Sequence, residues 1–144
     1  MSGEETKRIV RGIHEALNKR DADKAASFFA DDVVSVSPEG TFKGRQEIKR
    51  YFTWLLGQYS QMKLNETGLY VDGNVATHEY VIEATSKEGK GSSPCVAILE
   101  IKDGKVQRIR NYYDRLGVAK QMARGVIATR AVNSIVERME KGLH

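Results

Sequence analysis

Cysteine occurs once in these 144 residues, at Cys95, so no intramolecular disulfide can form and a cysteine-based zinc site is excluded. The expected place for this thiol is a small, buried position on a strand. Proline occurs only twice, and 40% hydrophobic with 29% charged residues is the composition of an ordinary globular chain rather than a fibrous or disordered one. No stretch approaches the roughly 20 apolar residues that span a bilayer, and MSGEETKRIV is charged where a signal peptide needs an apolar core. A cytoplasmic protein with no membrane partner is expected. Also missing are a G-x-G-x-x-G after a strand, a P-loop and a G-x-S-x-G, which removes dinucleotide binding, phosphoryl transfer and serine hydrolysis. His14, His78 and His144 are too scattered for a local metal motif, so neither metal nor cofactor is expected.

The net charge of +4 is uneven, with +6 on residues 105–144 and −2 on the rest. Because Arg108, Arg110, Arg115, Lys120, Arg124, Arg130, Arg138 and Lys141 form no block and no binding motif accompanies them, they read as solvated surface, and no nucleic-acid partner is expected. A chain of this length buries roughly 68–70% of its unfolded surface, enough for one domain over 1–144 with an internal pocket.

Periodicity supplies the elements. Ile9, Val10, Ile13 and Leu17 at helical spacing predict an amphipathic helix over 4–19, with His14 at the margin of its packed face. Asp21 can cap a second helix carrying Ala25, Ala26, Phe28 and Phe29, ended by Asp31 and Asp32. Residues 33–37 read as a short strand stopped by Pro38 and Gly40, with Val34 and Val36 on one face and Val33, Ser35 and Ser37 on the other. A third helix runs from after Gly44 to about Leu56, with Tyr51 and Trp54 beside its apolar stripe. Residues 60–114 turn to strand character, punctuated by Asp72-Gly73, a loop at 87–93 and Asp103-Gly104, which predicts a four-stranded antiparallel meander. A two-residue loop at Asp103-Gly104 sets Ala97 opposite Arg110 and Cys95 opposite Tyr112. A short helix over 116–123 and a final amphipathic helix carrying Ile127, Ala131, Ile135 and Met139 close the chain. The fold class is thus α+β: a curved, mostly antiparallel sheet wrapped around three N-terminal helices. A helical tail at about 126–142 follows the sheet.

The order helix, helix, short strand, then FKGRQEIKRYF, then a meander ending in VQRIRNYYDRLGVAKQM resembles the SnoaL-like proteins of the nuclear transport factor 2-like superfamily. That resemblance covers about residues 5–125. It implies a cone whose apolar cavity lies between bent sheet and helices, often within a homodimer formed through the outer sheet face. Superfamily members include polyketide cyclases, ketosteroid isomerases, epoxide hydrolases, scytalone dehydratases and proteins that only bind or assemble.

In SnoaL-like cyclases an aspartate at the end of the last strand is the implied acid/base, and Asp114 in RNYYD matches it. Desolvation at a pocket edge suits a carboxylate to proton relay. The same residue precedes a helix and can simply cap it. His78 in ATHEYVIEA shares the more apolar strand face with Ala76, Tyr80, Ile82 and Ala84, where it can act as a base or hydrogen-bond donor, or sit as a structural residue. Three departures narrow the chemistry. Ser37, before Pro38, stands where ketosteroid isomerases carry their aspartate. Glu79 and Val81 stand where epoxide hydrolases carry an aspartate and an arginine. For scytalone dehydratase-like paired histidines, only His78 is available. The expectation is a cofactor-independent lyase, cyclase or isomerase moving a proton on a carbonyl-containing small molecule. Asp114 and His78 would be its catalytic residues, and Ser37, Tyr51, Trp54, Tyr80, Asn111 and Tyr112 would contact substrate. The alternative is a non-catalytic module that binds a small apolar ligand or assembles through this fold.

Overall fold

The structure is a computed structural model and describes residues 2–144. Helix α1 (Gly3–Asn18) begins at the Ser2 N-cap, whose hydroxyl accepts from the Glu5 N–H, and buries Ile9, Val10, Ile13, Ala16 and Leu17. Each large side chain of this kind contributes about 1.5–3 kcal/mol when removed from water. A Cβ at Gly12 would lie 2.6 Å from the tip of the partly exposed Phe28 ring, which would have to move aside. Short helix α2 (Ala22–Ala26) follows the Asp21 cap. Strands β1 (Phe29–Ser37) and β2 (Gly40–Lys43) form a hairpin that leads into α3 (Arg45–Gly57). The meander comprises β3 (Gln61–Asp72), β4 (Val75–Ser86), β5 (Gly89–Lys102) and β6 (Lys105–Tyr113), and the tail is α4 (Arg115–Met122) and α5 (Gly125–Met139).

The six strands form one sheet in the order β2-β1-β6-β5-β4-β3, antiparallel except where β1 lies parallel to β6. Its inner face meets α1 and α3 through a core that includes Phe29, Val33, Ile48, Phe52, Leu64, Leu99 and Val106. The expected α+β cone is the observed fold.

Three local expectations are corrected. The second helix stops at Ala26, and Phe29, fully buried and paired with Val106, already belongs to β1; Asp31 and Asp32 lie exposed where the register shifts between Phe29 and Val34. The hairpin strand β2 carries no strand signal because it is four residues of mostly exposed edge. The 87–93 loop shrinks to a tight turn, since Ser86 pairs with Gly89 and the Glu88 N–H donates to the Ser86 hydroxyl.

A fourth correction bears on the site. Asp103 and Gly104 both take positive φ, as a type I′ turn requires, and Lys102 pairs with Lys105. Between Glu100 and Ile101, however, the register shifts by one, so that Cys95 faces Tyr113, Ala97 faces Asn111 and Arg110 faces Ile98. A one-residue shift exchanges the two faces of a strand. Tyr113 therefore turns inward with Cys95, and Tyr112 is 54% exposed.

Candidate functional site

Between α1, α3 and the concave sheet lies a cavity of about 210 Å³. Its wall is largely apolar and aromatic, with Tyr51, Phe52 and Trp54 from α3 and Tyr59 beyond it, and α4 closes one side through Val118, Gln121 and Met122. Gln121 holds α4 in place by accepting from the Ser92 N–H at 2.7 Å and donating to the Ser92 carbonyl at 2.6 Å. Polar groups gather in two places on this wall.

The first lies where α1 crosses β3 and β4. Alternation along β4 turns His78 and Tyr80 inward, and His78 is 1% exposed. Opposite Tyr80 on β3 stands Glu66, and the bulge between Glu66 and Gly68 changes the register so that Leu69 faces His78. Asn18 pins this stretch to α1, donating to the Leu64 carbonyl at 3.1 Å and accepting from the Leu64 N–H at 2.7 Å. The Glu66 carboxylate lies 2.9 Å from His78 Nε2 and accepts from Arg11 Nη2 and Nε at 2.9 and 3.2 Å. One turn along α1 from Arg11, His14 sets its ring 4.1 Å from that of His78 and 4.4 Å from that of Tyr80.

The electrostatics of this cluster follow from burial and pairing. Hydrogen bonding to Arg11 dominates at Glu66 and, with the bond to His78, holds its carboxyl down at about 2. Burial, reinforced by the neighbouring His78, pushes His14 down to about 3. Burial likewise lowers His78, although Glu66 opposes the shift. An ionised carboxylate only accepts, so Nε2 of the neutral His78 carries the hydrogen and Nδ1 presents a lone pair. That Nδ1 is buried and has no partner within the protein. Burial also raises Tyr80, which keeps its phenol protonated.

The second polar group forms around the β1–β2 turn. Arg115 donates to the Pro38 carbonyl at 3.2 Å, and the Tyr113 hydroxyl donates to Glu39 Oε1. The other carboxylate oxygen, Oε2, is buried, and the carboxylate also takes a side-chain hydrogen bond from Tyr51. Tyr51 lies beside the same carboxylate, and burial first, then Glu39, raises both Tyr51 and Tyr113. Cys95, also on the wall, is pushed up to about 11 by burial.

Of the residues singled out by sequence, His78, Tyr80, Tyr51, Trp54 and Asn111 line the cavity, and Tyr112 contributes only from an exposed position. Ser37 does not line it; its hydroxyl donates to the Gly40 carbonyl across the turn, and Ser35 is the serine of β1 on the wall. Asp114 is exposed, accepts from the Gly117 N–H at 2.8 Å as the N-cap of α4, and is not part of the wall. Sequence reasoning missed Glu66, Arg11, Glu39 and Tyr113, and read His14 as a helix-margin residue. The only available signal was the three-residue spacing of Arg11 and His14 on one helical face. Among the described residues no cluster of three or more His, Cys, Asp or Glu is placed to hold a metal ion, and no helix is long and apolar enough to cross a membrane.

Several solved structures share this architecture. A protein of ketosteroid isomerase-like fold from Catenulispora acidiphila, in complex with trimethylamine, superposes with a TM-score of 0.75 at 21% identity, covering 81% of this chain and 93% of the other. A proposed polyketide cyclase from Xanthomonas campestris pv. campestris gives 0.75 at 23% identity, covering 83% and 97%. An LEH-like epoxide hydrolase of M. tuberculosis gives 0.73 at 19%, covering 89% and 96%. Identities this low establish the shared fold alone. No curated protein matches the chain. The SnoaL-like domain family matches residues 10–109, which take in the whole first polar group and stop short of Tyr113 and Arg115 in the second, and the chain belongs to that family.

Proposed function

We propose that the chain is a cofactor-independent enzyme that moves a proton on a carbonyl-bearing small molecule held in the cavity. The observation that carries this reading is the His78–Glu66 pair, in which a buried, neutral imidazole lining the apolar cavity has an unpartnered Nδ1 and an ionised carboxylate behind it. Nδ1 takes the proton from the carbon next to the carbonyl. Glu66, held by Arg11, stabilises the imidazolium that forms, which is the role of a carboxylate behind a general base. The Tyr80 phenol donates to the developing enolate oxygen, and the proton returns to carbon or the enolate attacks a second carbonyl. His14 keeps a second neutral imidazole against the first. Tyr51, Trp54 and Asn111 hold the substrate, which at this cavity size is smaller than a typical drug-sized ligand. In this scheme Asp114 serves as a helix cap, and the base implied by the family resemblance is replaced by one on β4. Homodimer formation through the outer sheet face, which the resemblance implies, is supported by Tyr70, 60% exposed and paired with Thr77 on the face opposite His78.

The test is exchange of α-protons of aryl methyl ketones in D2O, followed by NMR. The wild-type protein should accelerate exchange of a bound ketone above the buffer rate, and His78→Asn should lose at least about a hundredfold of that acceleration, the lower end of the usual contribution of one general base. A ketone that binds and does not exchange would return the protein to the binding-module reading, which the engagement of Asp114 in capping favours.

A further inference from the structure

We propose that α4 is the door of the cavity: it swings out between two hinges to admit the ligand, and Gln121 is the latch that holds it shut. The proposal concerns access alone and stands whether or not proton transfer takes place inside.

The helices around the cavity are anchored very differently. Helix α1 buries Ile9, Val10, Ile13 and Leu17, and α3 buries Ile48, Phe52 and Leu56, whereas α4 buries no side chain. Val118, Gln121 and Met122, three and four residues apart, form the face of α4 that lines the cavity. Both ends of this helix pass into extended chain. Asp114 has φ −85° and ψ 92° at the start, Ala123 and Arg124 have ψ 126° and 142° at the end, and Gly125 follows at φ +80°. Short element-terminal segments of this kind absorb the backbone rotation of a hinge. Trp54 of α3 and Met122 of α4 line the cavity while 49% and 42% exposed, so the seam between these helices is where the cavity meets solvent.

The opposite edge of α4 rests on β5, and the strand is shaped to receive it. Inner-facing positions of β5 run through Leu99, Ala97, Cys95 and Ser93, all buried, and then reach Gly91 and Gly89. A Cβ at Gly91 would lie 2.9 Å from Gln121 Oε1, and one at Gly89 would lie 2.5 Å from Arg124 Nη2. Side chains of α4 thus occupy the space that side chains of the sheet would fill, and the wall at this end is made by the helix. Three hydrogen bonds fasten it. Gln121 donates to the Ser92 carbonyl at 2.6 Å and accepts from the Ser92 N–H at 2.7 Å, and Arg124 donates to the Glu88 carbonyl. All three lie at exposed residues, so water replaces them when the helix leaves. At the usual net worth of such bonds, their release leaves the open state at about one part in a hundred to one part in a thousand.

Cys95 reports the opening, because the only thiol of the chain lies on the cavity wall and is 5% exposed. Its reaction with methyl methanethiolsulfonate at neutral pH, followed by mass spectrometry, should run about a hundred- to a thousandfold more slowly than in the urea-unfolded chain. Low concentrations of urea should barely change that rate, since a swinging helix exposes little new surface and global unfolding exposes much. Gln121→Ala removes two of the three bonds and should speed the reaction about ten- to a hundredfold, while the urea midpoint for global unfolding stays almost unchanged. Gly91→Ala, whose methyl group pushes Gln121 away, should act in the same direction. A wild-type rate that rises with urea as steeply as global unfolding, a thiol as reactive as in the unfolded chain, or a rate unmoved by Gln121→Ala overturns the proposal. If neither variant folds, the urea dependence of the wild type decides. Absence of α-proton exchange with this labelling pattern intact removes the chemistry and leaves the door, and exchange without the pattern removes the door and leaves the chemistry.

Discussion

Holding two imidazoles neutral against each other in a cavity makes the fold sensitive to acid below pH 6.5. His14 titrates at about 3 in the folded chain against 6.5 when unfolded. Above pH 6.5 it is neutral in both states and costs nothing. Below 6.5 the unfolded chain takes up a proton that the folded chain refuses, and stability falls as pH drops toward 3. The slope is about 1.4 kcal/mol per pH unit for one proton, so the fall between pH 6.5 and 5 reaches about 2 kcal/mol as an upper value, and about 1–2 kcal/mol allowing for the partial exposure of the ring. His78, also lowered, adds a loss of the same sign. Glu66 does not enter until the pH passes below 4.5, because its lowered pKa confers stability that is full above that value and is lost toward 2. Urea unfolding at pH 7.0, 6.0 and 5.0 should therefore show a falling midpoint in the wild type. His14→Gln should flatten the curve by about one proton's slope. A wild type equally stable at pH 7 and 5, or a variant that keeps the full slope, would refute the neutral-pair argument.

Replacing Glu66 by Gln should leave His78 in place and remove the charge behind it, lowering α-proton exchange about ten- to a hundredfold and moving the low-pH limb of the rate profile to lower pH; an unchanged profile would exclude Glu66 from the proton-transfer unit. Asp114→Ala should cost about 1 kcal/mol of unfolding free energy, the usual loss for an N-cap, while exchange is retained, and loss of exchange in a folded variant would restore Asp114 as the acid/base. Cys95, buried and with its thiol raised to about 11, should react with a thiol reagent at neutral pH at least about a hundredfold more slowly in the folded chain than in urea, and rapid labelling would mean that the cavity opens to solvent. Gly12→Ala should destabilise the fold by driving a methyl group into the Phe28 ring, by about 1–3 kcal/mol, measurable as a drop in melting temperature.

The period of the chain was enough to place its main helices and its antiparallel meander, because patterns such as Ile9-Ile13-Leu17 and Ala76-His78-Tyr80 depend only on geometry internal to one helix or one strand. The inward direction of His78 and Tyr80 was legible for the same reason. What lay across from them was not. Glu66 and His78 meet through a β3 bulge, His14 reaches them by the way α1 crosses the sheet, and Tyr113 replaces Tyr112 on the inner face through a one-residue shift in β6. None of these is a property of local sequence, since a bulge records how two strands accommodate each other and a helix crossing records how two faces pack. Asp114 shows the converse case. Its position before a helix allowed both a catalytic carboxylate and a cap, and only the folded chain shows that it accepts from the Gly117 N–H and lies off the cavity wall.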